Sequence, residues 1–312
     1  MRRSRAATLA ALLLAGCAST PEPDPAYRPA ENVLEVVAVL RRHVPDDTYR
    51  FPPARDFTER NVYRSSLLRL ENIERVHARA LRAGHMDGVL AFSKGRALER
   101  LRAYDLAGAA YRTAAEREPA LADEALRSAA LCEGLLAVAD PAAEDPDPIA
   151  PAGGHEAVFA DFDRRSAALE ALRAQAAGSH HEFVVMEEIE RADAARARYF
   201  AGLRKALPDG DVRAVAELER VALLHRESKN ASRHVLALGA LYEELAREYA
   251  VSHPPESLYF DPVRFQELVD SGARLFEMVT NRDGTPEKIE ASRRLEAFLA
   301  FALRIDRDRF TP

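Results

Sequence analysis

Two groupings in this chain have the residue types of a metal or acid–base site. Glu74-Arg75-Val76-His77 sets a carboxylate and an imidazole one helical turn apart, the Glu-x-x-His spacing that di-metal helical bundles use on two helices. The chain has no second copy, so His77 is expected as a partly buried helix residue. His180-His181-Glu182, followed by Glu187-Glu188, is denser, and from one helix start it offers His181, Glu187 and Glu188. The sequence specifies no partner helix for it. An acid-rich first turn facing water, favoured by the helix dipole, is therefore the expected role. Gly-x-Ser-x-Gly, Ser-x-x-Lys, His-Glu-x-x-His and a phosphate-cradling glycine loop are all missing. No catalytic group, metal site or cofactor is expected, and the chain is read as a non-enzyme.

The thiols are Cys17 and Cys132. Cys132 lies in Ser128-Ala129-Ala130-Leu131-Cys132, on an apolar helix face, where core packing is the expected role. Cys17 stands in a different context. Arg2, Arg3 and Arg5 precede an apolar run, Ala6 to Ala15, that falls well short of the roughly 20 residues of a membrane span. Leu14-Ala15-Gly16-Cys17 closes the run and resembles the lipobox of bacterial lipoprotein precursors. That resemblance implies cleavage before Cys17, a diacylated thiol and an acylated new amine, an anchor well beyond the hold of one chain. Ala18, rather than Asp, follows the cysteine; in Gram-negative bacteria that is similar to the pattern sorted to the outer membrane, with the body facing the periplasm.

Behind this signal, 47% hydrophobic and 30% charged residues suit a folded, water-facing body with enough chain for a real core. Tryptophan is absent, Ala, Leu, Arg and Glu dominate, and these are good helix formers. Lysine is confined to Lys94, Lys205, Lys229 and Lys288, and the formal charge of −6 argues against general nucleic-acid binding.

The chain divides into a signal (1–16), a lipidated cysteine with a proline-rich tether (17–30), a helical repeat-like region (31–139), a proline-rich acidic linker (140–154) and a C-terminal helical region (155–312). Periodicity predicts helices throughout and no strand, so the fold is expected to be all-α. Val33, Val37, Leu40 and Val44 share the face of a first helix that ends at Pro45-Asp46-Asp47. Thr58 is the expected cap of a helix reaching Ala83. Asp261-Pro262 and Thr285-Pro286 have the form of a cap followed by a first-turn proline and open the last two helices.

Gly95, Leu98, Ala107, Tyr111, Ala114 and Pro119 resemble the tetratricopeptide repeat in order and spacing. The resemblance implies two helices crossing closely at small residues, an aromatic filling the gap and a proline closing the pair. Ala91 stands where the motif has a large aromatic. Ala129 and Cys132 fall where Gly95 and Leu98 would recur. Val235, Leu238, Gly239 and Tyr242 repeat the first-helix pattern, and Leu268, Gly272 and Leu275 echo it. The implied architecture is a tetratricopeptide-like helical hairpin array, α-solenoid-like, with a second part of long helices.

Two loops are candidate contact sites because prolines stiffen them and aromatics supply area. One carries Arg50, Phe51, Arg55 and Phe57 around Pro52-Pro53. The other carries Leu258, Tyr259 and Phe260 after Pro254-Pro255. Plugging the ends of the array is the competing role for these aromatics.

The expected function is an interaction scaffold binding an envelope protein or peptide in a concave groove, in envelope assembly or cell-wall machinery. The alternative is a solute-binding accessory lipoprotein of a transporter, with a buried arginine such as Arg96 or Arg100 holding a small organic acid.

Overall fold

The structure, a computed structural model, describes residues 28–139 and 153–309. Cys17, the lipobox, most of the tether and residues 140–152 of the expected linker lie outside the described residues. All regular elements among the described residues are helical: α1 Pro29–His43, α2 Val62–Ala83, α3 Asp87–Arg100, α4 Tyr104–Arg117, a 3-10 turn Pro119–Leu121, α5 Ala122–Val138, α6 Gly154–Ala176, α7 His181–Leu203, α8 Gly210–Leu224, α9 Ala231–Ser252, α10 Pro262–Thr280 and α11 Glu287–Arg309. A lone antiparallel bridge, Arg55 to Asn61, closes a loop and builds no strand.

Local chemistry accounts for the helix ends. Pro29 opens α1, where a missing N–H costs nothing. Asp261 caps α10 by accepting from the amides of Val263 and Arg264. At α2 the cap is Asn61, which accepts from Tyr63 and Arg64, and not Thr58. Thr58 instead donates to Asp56 at 2.7 Å inside a tight loop, which delays the helix until Val62. The α2 backbone leaves helical geometry at His77.

Successive helices pack mainly on one another, most closely α3 on α4, α4 on α5 and α9 on α10. A close contact between a small residue and a large one recurs along the chain. Gly95 of α3 faces Tyr111 of α4, Gly134 of α5 faces Leu172 of α6, Gly239 of α9 faces Phe276 of α10, and Gly272 of α10 faces Phe298 of α11. The sequence separation differs from pair to pair, so what recurs is the contact and not a fixed register. Beside the small Ala91, Phe92 packs edge-on to Tyr111 with ring centroids 5.5 Å apart.

The two ends of the chain build separate apolar cores. Val33, Leu40, Tyr63, Leu70, Ile73 and Leu90 form one over α1 to α3. Phe265, Phe276, Phe298 and their neighbours form another over α9 to α11. Side chains such as Tyr63, Phe276 and Phe298 are fully buried, each stabilising the fold by about 1.5–3 kcal/mol. Cys132 is buried in a third core, over α3 to α7, where burial pushes its thiol well above the ordinary range, as expected of a packing residue.

Helix α7 ties these parts together through charge. Glu187 accepts from Thr48 and pairs with Lys229 at 3.0 Å. Glu188 takes a two-pronged bond from Arg102, at 2.7 and 2.8 Å, and a third from the Tyr104 hydroxyl at 2.7 Å. Glu190 holds Ser228 and His234, and Asp193 holds His225 and Arg220. Glu187 and Glu188, with Glu190 and Asp193 further along, are therefore interior clamps, whereas Glu182 of the first turn accepts from the Gly178 amide at the surface. Buried carboxylates persist only when paired and hydrogen-bonded in this way.

Candidate functional site

Near its C-terminal end α3 is enclosed on most sides, and Arg96, Ala97, Leu98 and Glu99 are all buried. Glu99 is 1% exposed. The Tyr111 hydroxyl of α4 donates to its Oε2 at 2.8 Å, and His181 Nε2 stands 3.1 Å from the same oxygen. His180 Nε2 lies 3.6 Å from Oε1. The two histidines are consecutive, yet their rings lie with centroids 3.8 Å apart, tilted by 40°, and both turn toward Glu99. His180 is the cap residue of α7, with near-helical backbone angles (φ −64°, ψ −18°), and His181 is the first residue of the helix.

Arg96 completes the cluster. Its Nη1 touches His180 Nε2 and lies 3.2 Å from His181 Nε2, while Nη2 bonds the half-exposed Glu124 at the start of α5. The guanidinium also lies over the rings of Phe92, at 4.8 Å, and Tyr111, at 5.6 Å. Burial works to raise the Glu99 pKa. The electrostatic pull of the His181 and His180 imidazoles and of the facing Arg96 outweighs it, holding the carboxyl well below its ordinary range. Burial lowers the His180 pKa, against the pull of Glu99. Burial also pushes Tyr111 well above its usual range, reinforced by the neighbouring Glu99 charge.

A cleft of about 590 Å³ opens above this cluster, between α1, α3 and the 3-10 turn leading into α5. Val37, Leu40, Val89, Phe92 and Leu121 make apolar walls, and Arg96 with His180 forms a polar floor.

Of the residues singled out from the sequence, Gly95, Leu98, Ala107, Tyr111 and Ala114 meet in the α3–α4 core, and Pro119 begins the turn after it. Gly239 meets α10, and Tyr242 is half-buried beside α8 and α10. The first loop exposes Phe51 and, almost completely, Phe57, with Arg50 and Arg55 on its surface. It is fastened beneath by buried Thr48 and Tyr49, whose hydroxyl lies 2.9 Å from His225 Nδ1. In the second loop Leu258 and Tyr259 are exposed, but Phe260 is not a contact residue. It is buried against Tyr249 and Phe265, because the chain must turn back over the core before α10.

Arg96 reaches the cleft, whereas Arg100 does not line it: Arg100 Nη1 donates to Thr48, and Nη2 donates to the Val44 and His180 carbonyls. The histidine pair also departs from expectation. It points into the protein, and its carboxylate partner is Glu99 rather than Glu187 or Glu188. Glu99 sits between Leu98 and Arg100 with no catalytic or metal-ligand motif around it, so only its position on the enclosed side of α3 marks it. Glu74 of the Glu-x-x-His pair is engaged by Lys94 at 2.8 Å.

Set beside known proteins, the chain matches no protein-family model and no curated protein sequence. Among the described residues, no helix is long and apolar enough to cross a membrane.

Proposed function

We propose that this chain is a lipid-anchored binding protein of the bacterial envelope, held by Cys17 at the periplasmic face of the outer membrane and without catalytic activity. Its helices act as a tetratricopeptide-like hairpin array, and the cleft over α1, α3 and the start of α5 receives an envelope protein or peptide. The observation that carries this reading is the cleft itself, with apolar walls at Val37, Leu40, Val89 and Phe92 and a polar floor at Arg96 and His180. Such a lining buries apolar side chains while a few polar groups fix orientation. The lipobox at Leu14 to Cys17 supports the location.

The test is a photo-crosslinking residue at Arg41 on the cleft wall, introduced in living cells, with one on the outer face of α11 as control. A single dominant envelope partner captured from Arg41 alone supports the proposal; the same faint background from both positions overturns it. Anchoring is tested by incorporation of an alkynyl fatty acid, which Cys17→Ser must abolish.

A second reading rests on Arg96. Its Nη2 is bonded by Glu124, whose side chain is half exposed. The carboxylate of a small organic acid in the cleft can replace Glu124 on that guanidinium. Under this reading the protein is a solute-binding accessory lipoprotein of a transporter. A thermal-shift screen with organic acids, repeated on Arg96→Gln, tests it: stabilisation lost in the variant supports the reading, and no stabilisation by any acid removes it.

A further inference from the structure

Glu99 is buried and only half satisfied. Its Oε2 has the Tyr111 hydroxyl and His181 Nε2, but Oε1 has no hydrogen-bond partner. A buried carboxylate oxygen left without a partner is costly, which favours a ligand that can fill the position. Two imidazole nitrogens point at the same carboxylate, and one ligating atom from each of Glu99, His180 and His181 lies within 4.8 Å of the other two.

We propose that Glu99, His180 and His181 form a binding site for a divalent cation of the zinc class, and that Arg96 is the resident cation the metal displaces. The donor set decides the class. Two imidazoles and one carboxylate suit zinc and its transition-metal neighbours, whereas calcium and magnesium take oxygen ligands. The Tyr111 hydroxyl on Oε2 fixes the carboxylate from behind, which is the outer support that ligating groups require.

Arg96 now occupies the position of positive charge, between the imidazoles and Glu124. A guanidinium and a metal ion cannot both sit against the same two nitrogens. Arg96 has somewhere to go: Glu124 lies toward solvent, Phe92 offers a ring face, and the cleft gives room. Binding exchanges one cation for another at Glu99 and releases any proton carried by the imidazole nitrogens, so affinity falls in acid. The metal site shares His180 and Arg96 with the floor of the cleft, and its test with zinc alone does not require the cleft's own ligand.

The test uses tag-free full-length protein stripped with a chelator and titrated calorimetrically with zinc chloride alone. We expect one zinc per chain, weakened about tenfold or more by His180→Gln with His181→Gln. Arg96→Gln, which removes the competitor, must bind zinc more tightly than the wild type and gain more thermal stability from it. X-ray absorption of the zinc-loaded wild type must show an imidazole shell, a readout that survives even if the double-histidine variant does not fold. Zinc uptake that is unchanged by Arg96→Gln, or an absorption spectrum without imidazole scattering, overturns the proposal.

Discussion

Gly95 of α3 stands so close to Tyr111 of α4 that a β-carbon at Gly95 would lie 2.6 Å from the tyrosine Cε1. The same tyrosine carries its hydroxyl to Glu99, one helical turn further along α3. One side chain thus sets the spacing of the α3–α4 hairpin and orients the buried carboxylate that faces Arg96 and the two histidines. Packing and polar chemistry are joined at Tyr111.

Gly95→Ala is expected to destabilise the protein by about 1–3 kcal/mol, because the fully buried ring is tied at its hydroxyl and cannot shift aside. The better helix propensity of alanine offsets only about 0.5–1 kcal/mol of that. Gly108→Ala is the control. A β-carbon there meets nothing nearer than 3.8 Å, so this variant should be neutral or slightly more stable. Urea unfolding of the two variants side by side checks the contrast.

Tyr111→Phe keeps the ring and removes the donor to Glu99. The loss is expected to be about 1–3 kcal/mol, since an ionised, buried acceptor is left with fewer partners. A double-mutant cycle with Glu99→Gln should show strong coupling, as residues in one hydrogen-bond network do not add. Simple additivity would mean that the bond contributes nothing.

Stability should fall with acid in two stages. The folded-state pKa of His180 is lowered, so below about pH 6.5 the unfolded chain takes up a proton that the folded chain refuses, and stability declines. The Glu99 pKa is also lowered, so its contribution is intact above about pH 4.3 and is lost as pH falls from there through the folded-state value. Glu190 and Asp193, held below their ordinary values despite burial by His234 and by His225 with Arg220, add to the second stage. Urea midpoints measured from pH 8 to pH 3 test this. His180→Gln should remove much of the first decline and Glu99→Gln should shrink the second.

The loop of Phe51 and Phe57 should separate anchoring from display. Tyr49→Phe removes the bond to His225 and should cost about 0.5–1.5 kcal/mol while accelerating amide exchange in residues 45–57. Phe57→Ser, at a side chain 98% exposed, should change stability by no more than about 0.5 kcal/mol. Hydrogen-exchange mass spectrometry of both variants distinguishes the fastening residue from the displayed one.

The helical class was legible in the sequence because it depends on local terms: helix-favouring composition, apolar residues at helical spacing, and Pro or Asn–Asp punctuation. The Asp261-Pro262 start of α10 was readable for the same reason, since cap and proline act within one turn. The cap of α2 was misplaced because Thr58 and Asn61 are both competent, and only the loop contact between Asp56 and Thr58 selects Asn61.

Gly95 and Tyr111 were legible as a packing pair from their types and spacing. Glu99 was not, because a glutamate set among arginines on a helix reads as a surface residue and carries no local signal of what will surround it. The histidines at 180 and 181 were visible as a cluster, but their direction was not. Whether they faced water or the interior depended on where α3 came to lie against the start of α7, across more than seventy residues of chain. Sequence by itself determined the helices and the small-residue contacts that let them approach. Tertiary structure alone decided which buried charges meet, because desolvation makes an unpaired carboxylate costly only after distant helices have removed its water.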